Sequence, residues 1–483
     1  MKRSLLTILA FIFVTHLVYS RTPRKDEAKL AIDYLERNFA TYDKIQKYIW
    51  DASEPAFQEY KSSDILSSHL RGEGFDVTLG VASMPTAFVA RYGKGRPVIG
   101  ILAEYDALPG LSQDTIPFRS PRPGKKFGHG CGHNLIGTAS VASAVALSRW
   151  LKSSGTEGTI IVYGTPGEEG GSGKAYMARE GLFSMADIVF DWHPGRRQYV
   201  YSNKWLAMVS VVYRFYGKSA HASAHPDDGR SALDAVESMD FMTNLMREHI
   251  PDGCKLHYVI VDGGVAPNVV PEYASVKYNL RARDTKTLLN LIAWVGDIAD
   301  AAALGTQTRV EKEILSGSHE KIINRTLSVI LQKNLEMVGT PVWDERETAF
   351  VKQIHDSFNS SVPFENHTIV QPLAEEQPYG SGGSSDVGDV SWIVPEAGFE
   401  IQTFAPASGG HTWANVAVAG TSIGTKSLIA GAKVLVSSCI DVFINPDIVT
   451  KAKAELENKR GKDYTYSSLL GNRLPSLDMY QKD

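Results

Sequence analysis

The stretch GHGCGHNLIG, residues 128–137, sets His129, Cys131 and His133 in a loop whose other early residues are glycine. Thiolate and imidazole are donors that zinc and similar cations accept. Further segments offer more of the same chemistry. GILAEYDALPG carries Glu104 and Asp106, GTPGEEGGSGK carries Glu168 and Glu169, DIVFDWHPG carries Asp191 and His193, and GGHTWAN carries His411. These groups follow apolar strand-like runs or precede a helix, and ligands of open α/β sheets collect at such strand ends.

The adjacent Glu168 and Glu169 repel each other, and solvated surface pairs of this kind are common. Glycines on both sides let this backbone pack closely against something. One carboxylate on a metal ion, with its neighbour as general base for an activated water, accounts for the pair. A phosphate-binding loop needs Gly-x-x-x-x-Gly-Lys-Ser/Thr; here Lys174 is followed by Ala175 and the acids repel phosphate. Taken singly, His193 and His411 read as hydrogen-bonded core histidines, and Cys131 as a small buried hydrophobe. Together Cys131, His133, Glu169, His193 and His411 are five donors of types suited to zinc or manganese. That exceeds one tetrahedral ion and suggests two ions sharing ligands. A Cys131 nucleophile beside a helix N-terminus is the rival reading. It lacks an evident base–orienter pair and leaves the acids unexplained.

The elements that must hold these groups alternate. An amphipathic helix is expected over 25–50 and a second over about 58–74. Strand chemistry follows at Thr86–Arg91 and in PVIGILA, then a small-residue helix to Gly155, the strand TIIVYG, a short helix, and the strand DIVFDW. Strands alternating with helices indicate an α/β domain with a mixed, mostly parallel sheet. From about 205 to 315 the pattern becomes strand–helix–strand–strand–helix, a small α+β module of ferredoxin-like type. The simplest organisation is a discontinuous catalytic domain, 25–204 and 316–460, interrupted by an inserted domain, 205–315, and followed by a tail, 461–483.

With 43 % hydrophobic and 22 % charged residues, the 483-residue chain can bury a large core without disulfides. Its three cysteines, Cys131, Cys254 and Cys439, do not make a disulfide framework. Residues 1–20, MKRSLLTILAFIFVTHLVYS, have the basic start and short apolar stretch of a secretory signal peptide. A membrane anchor is the alternative, but Thr15 and His16 break the apolar run. Cleavage leaves an exported protein, periplasmic or extracellular. It also moves the formal charge from −4 to −6, since Lys2 and Arg3 are lost with no acid. Bulk charge then argues against nucleic acid. No later segment reads as long and apolar enough to span a bilayer.

AEYDALPG, GHGCGHNLIGTAS, GTPGEEGGSGKAYM, DWHPG, GKSAHASAHPDDGRSALDA, GGVAPNVVPE and GGHTWAN, in this order over nearly the whole mature chain, resemble the two-metal amidohydrolase and metallopeptidase family. That family includes aminoacylases, carboxypeptidase G-type enzymes and auxin-conjugate hydrolases. The C-terminal half, SGGSSDVGDVSWIVPEAGFEIQTFAPASGGHTWAN, looks most like the aminobenzoyl-glutamate hydrolase branch.

The resemblance implies a catalytic domain with an inserted dimerisation or lid domain, and a homodimer or a related partner chain. It implies two divalent ions, zinc or manganese, held by Cys131, His133, Glu169, His193 and His411. Glu168 falls on the general base, and Asp106 on the aspartate that orients a ligand. His129 is left as a supporting or solvated residue. His221, Asn268 and Arg281 fall on positions that bind the substrate carboxylate or steady the oxyanion. In dimeric relatives such a histidine and asparagine reach the partner's site. Many peptidase members have His-x-Asp where this chain has Glu104-Tyr105-Asp106, so the role of Glu104 stays open, as do those of Ser385, Asp386 and Asp389. The implied reaction is hydrolysis of an N-acyl or N-aroyl amino acid amide, with dipeptide cleavage as the alternative.

Overall fold

The structure, a computed structural model, describes residues 25–377 and 383–480. The expected signal peptide lies outside the described residues, as do 378–382 of the Gly/Ser stretch and the last three residues of the tail. The strands are β1 (Asp76–Leu79), β2 (Phe88–Lys94), β3 (Val98–Ala103), β4 (Leu108–Pro109), β5 (Phe127–Gly128), β6 (Gly158–Gly164), β7 (Ile188–Gly195), β8 (Tyr199–Val200), β9 (Ala207–Tyr216), β10 (Lys255–Asp262), β11 (Tyr273–Ala282), β12 (Arg309–Ser318) and β13 (Glu396–Gln402).

The main sheet has the order β1-β2-β6-β3-β7-β13-β8. Its four central strands, β6, β3, β7 and β13, pair in parallel. β2 and β8 join antiparallel at the flanks. Every position of β3 and β6 is buried, which is why these strands read as unbroken apolar runs. Helices His133–Ser154 and Ser422–Ile444 pack against each other and share the largest core with the sheet. Small residues permit this approach, and Ser143 donates across it to the Ala432 carbonyl at 3.4 Å.

The second sheet, β10-β11-β9-β12, is antiparallel throughout. Helices Ala232–Met246 and Thr285–Thr306 pack on it and on each other, with a core of their own. The fold class is therefore α/β with a smaller α+β module, as the pattern predicts. Strand β12 escapes the pattern because its first residues, RVEKE, expose charged side chains on an edge strand.

Three features differ from expectation. The helix over 25–50 is two helices, Lys25–Arg37 and Phe39–Ala52, interrupted at Asn38. Two later helices, Thr285–Thr306 and Ser422–Ile444, do meet the length and hydropathy of a membrane span. Within its most apolar window the latter is 89 % buried inside the chain, as a core helix is, while the former is 39 % buried, with one face on the second sheet.

The C-terminal tail packs across the molecule instead of trailing from it. Arg473 Nη1 donates to the Ile314 and Leu315 carbonyls on β12, each at 2.7 Å. Arg179 Nη1 donates to the Gly471 and Arg473 carbonyls at 2.9 and 2.7 Å. Gln58 Nε2 donates to the Leu477 carbonyl at 2.7 Å, and the Tyr480 ring meets Phe127 edge-on at 5.6 Å between centroids.

Candidate metal centre

Asp106 lies three residues beyond β3 and is buried. Its Oδ1 accepts from His133 Nδ1 at 2.8 Å, and its Oδ2 accepts from the Glu169 backbone N–H at 2.8 Å. One carboxylate thus fixes the first residue of the buried helix His133–Ser154 and the acidic loop after β6. With Nδ1 committed, His133 presents Nε2. His193, on β7, donates from Nδ1 to the Pro194 carbonyl at 2.6 Å and likewise keeps Nε2 for a ligand. The two rings stand nearly perpendicular, at 87°, with centroids 5.9 Å apart.

The glycines make this convergence possible. Gly132 has φ 77°, and a Cβ there would lie 2.7 Å from Pro194 Cγ, so the Cys131 loop packs directly on the strand end that bears His193. Gly167 has φ 69° and lies against the Phe57 ring; its N–H donates to Glu59 Oε1 at 2.9 Å. The late loop is tied in by Asn415, whose Nδ2 donates to the Gly130 carbonyl at 3.1 Å and the Gly409 carbonyl at 3.3 Å. His411 has φ 54°, a left-handed conformation unusual outside glycine, and its Nε2 lies 3.6 Å from Glu169 Oε1.

All five expected ligands meet. Donor atoms of Cys131, His133 and His193 lie within 4.8 Å of one another, as do those of Cys131, Glu169 and His411. Cys131 is common to both groups. A third group of the same size joins His133, Glu168 and Glu169. Two cations sharing one thiolate fit this arrangement.

The electrostatics fit cations as well. Glu169 Oε1 is buried without a hydrogen-bond partner. Burial, then Glu169 and Glu104, push the Glu168 carboxyl well above its usual range. Burial, then Glu169 and Glu168, push the Cys131 thiol up, the reverse of what an activated nucleophile needs. Burial alone would lower His133, but Asp106 and Glu104 raise it to about 10. Burial and His133 lower His193 to about 4, leaving it a neutral donor. Anionic donors crowded away from water are stabilised by divalent ions.

Other residues fall elsewhere. His129 is buried, not solvated: its Nε2 donates to the Ile49 carbonyl at 3.1 Å. His221 and Asn268 stand together on paired loops of the second module, where the Ala222 N–H donates to the Asn268 carbonyl at 3.1 Å. Both are exposed, and no hydrogen bond among the described residues joins them to the metal-ligand cluster. Arg281 Nη1 donates to Ser384 Oγ at 2.9 Å. Asp386 accepts from Lys174, and Asp389 Oδ1 accepts from His319 Nδ1 at 2.9 Å and Tyr466 at 2.7 Å. Glu59, Lys174 and Asn415 escape sequence reading. Glu59 and Lys174 lie outside the metal-donor pattern, and Asn415 acts through backbone contacts that pairwise spacing does not show.

Residues 202–307 match the family model of the peptidase dimerisation domain. The chain is 38 % identical over 449 residues to one of the subunits of the p-aminobenzoyl-glutamate hydrolase of Escherichia coli strain K12, covering 88 % of this chain and 93 % of that one. It is 30 % identical over 431 residues to the Xaa-Arg dipeptidase of Mus musculus, covering 86 % and 88 %. A Bacillus subtilis dinuclear metal binding peptidase from the M20 family shares the fold at 16 % identity, with a TM-score of 0.51 over 82 % of this chain and 98 % of that one.

Two outcomes follow from the geometry. Replacing Asp106 with Asn removes an acceptor from the His133 ring and should weaken metal binding by about 10–100-fold. Chelator competition measures this, and wild-type affinity would remove Asp106 from any supporting role. Since Cys131 and His133 hold protons at neutral pH, metal loading should release about two protons and tighten as pH rises. Calorimetry in buffers of different ionisation enthalpy reads that release; heats independent of buffer would contradict it.

Proposed function

Because this chain belongs to the M20 family of metal-dependent amidohydrolases, we propose that it hydrolyses the amide joining an acyl or aroyl group to an amino acid, with an aminobenzoyl-glutamate-like substrate. The convergence of Cys131, His133, Glu169, His193 and His411 around Glu168 carries this reading. Cys131, His133 and His193 would hold one ion, and Cys131, Glu169 and His411 the other. Zinc and manganese both suit this donor set. Two divalent ions, when bound, polarise the scissile carbonyl and lower the pKa of water toward neutrality.

Glu168 takes the proton from the attacking water and returns it to the leaving nitrogen. Its raised carboxyl suits both steps, since the same group must accept a proton and then give it up. Arg281 binds the amino-acid carboxylate through its planar fork. His221 and Asn268, exposed on the second module, act on the oxyanion and the carboxylate from the lid or from a partner copy. The similarity to a dipeptidase supports dipeptide cleavage as a second reading. A substrate's need for a free α-amino group separates the two.

Glu168→Ala should lower kcat by about a hundredfold or more while metal content stays at the wild-type level. Hydrolysis of N-acyl amino acids and dipeptides, with metal measured on the same sample, is the assay; near-normal turnover by this variant ends the assignment.

Export by residues 1–20 would place the reaction in a periplasm or outside the cell. Association is supported by the edge strand β10, where Val259, Ile260 and Val261 are 59, 41 and 62 % exposed. Apolar side chains along an unpaired edge favour pairing with another chain. A homodimer is the expected state. The E. coli relative is one of several chains of its hydrolase, which supports a related partner chain as the alternative. Light scattering should give twice the chain mass, and a monomer at assay concentration would point to the missing partner.

A further inference from the structure

One buried cation has no part in the reaction as described. Lys174 has 0 % solvent exposure. Its Nζ lies 2.7 Å from Glu104 Oε1 and 2.7 Å from Asp386 Oδ1, and its backbone N–H donates to Asp386 Oδ2 at 2.8 Å. A lysine buried this deeply requires partners, yet an apolar residue of similar volume would serve stability as well. The partners explain more than the burial does.

Each carboxylate continues to a different functional group. Glu104 Oε2 lies 3.3 Å from His133 Nε2, the ring nitrogen left for a metal. Asp386 lies two residues after Ser384, whose Oγ accepts from Arg281. An unbroken line of contacts thus runs from His133 through Glu104, Lys174 and Asp386 to the loop under Arg281. It bridges the end of β3, the helix Gly173–Arg179 and the loop before Val387–Ser391. It also accounts for Glu104 in a strand where many relatives carry a metal-binding histidine.

We propose that Lys174 is a positioning residue that couples the metal centre to the substrate-carboxylate site, holding Glu104 against His133 on one side and docking the Ser384–Asp386 loop beneath Arg281 on the other. This rests on the reading of His133 as a metal ligand and Arg281 as the carboxylate contact.

The two arms have separate readouts in the full-length protein. Glu104→Gln should weaken metal binding about tenfold or more by chelator competition and leave KM of the metal-saturated enzyme near wild type. Asp386→Asn should leave metal affinity unchanged and raise KM for N-(4-aminobenzoyl)-glutamate about tenfold. Lys174→Met should move both; if it fails to fold by circular dichroism, the two single carboxamide variants carry the test. A merely structural ion pair would lower the melting temperature of either carboxamide variant without separating the two readouts. Both variants shifting the same quantity, or neither shifting any, overturns the coupling. Arg281→Ala runs alongside. A raised KM there with an unchanged KM in Asp386→Asn refutes the coupling alone. An unchanged KM in Arg281→Ala refutes the carboxylate reading, and the substrate end of the coupling with it.

Discussion

Asp106 is a buried carboxylate whose two oxygens are both held by hydrogen bonds, one from the His133 ring and one from the Glu169 amide. A carboxylate so buried is tolerable only when its lone pairs are satisfied, and satisfying them here fixes the geometry of everything around it. The helix beginning at His133 is locked to the end of β3. The acidic loop after β6 is locked to the same point. His133 lies nearly perpendicular to His193, and the Cys131 loop folds between them because Gly132 lets the backbone meet Pro194. Three chain segments thereby converge through a residue that need not touch substrate.

Charge is the second organising constraint. Glu59, Glu104, Asp106, Glu168, Glu169 and Asp386 gather near the ends of β3 and β6, and burial pushes several of their carboxyls upward. Lys174 balances part of this acid, and the ligand groups leave the remainder for divalent ions. The same balance argues against thiolate chemistry at Cys131, since its neighbours are acids and not the cations that stabilise a thiolate. Specificity then falls to parts that lie apart from the donors: Arg281 on β11, the Ser384 loop, and the exposed His221 and Asn268 on the second module.

The tail shows how far sequence position can mislead about place. Residues 461–480 follow the last helix and read as an appendage. They instead brace β12 through Arg473, run along the helix that follows the Glu168 loop, and end with Tyr480 on Phe127, just before the Cys131 loop. Burial, with Asp106 and Glu169 nearby, raises the Tyr480 phenol. The tail is therefore part of the wall around the catalytic domain's acidic loop.

The amino-acid sequence by itself determined the donor types, their placement at strand ends, and the change from parallel to antiparallel architecture near residue 205. These follow from local pattern: unbroken apolar runs mark buried parallel strands, alternation marks half-exposed ones, and glycines mark close approach. Tertiary structure alone decided the rest. His129 and His133 are the same residue type four positions apart, and only the meeting of helix and strand sends one to the Ile49 carbonyl and the other to Asp106. Lys174 reads as one more lysine near a helix until folding brings Asp386, 212 residues away, against it. Asn415 likewise meets Gly130 across 285 residues. Such contacts have no period in the chain, because they depend on where separate elements come to rest and not on the spacing within any one of them.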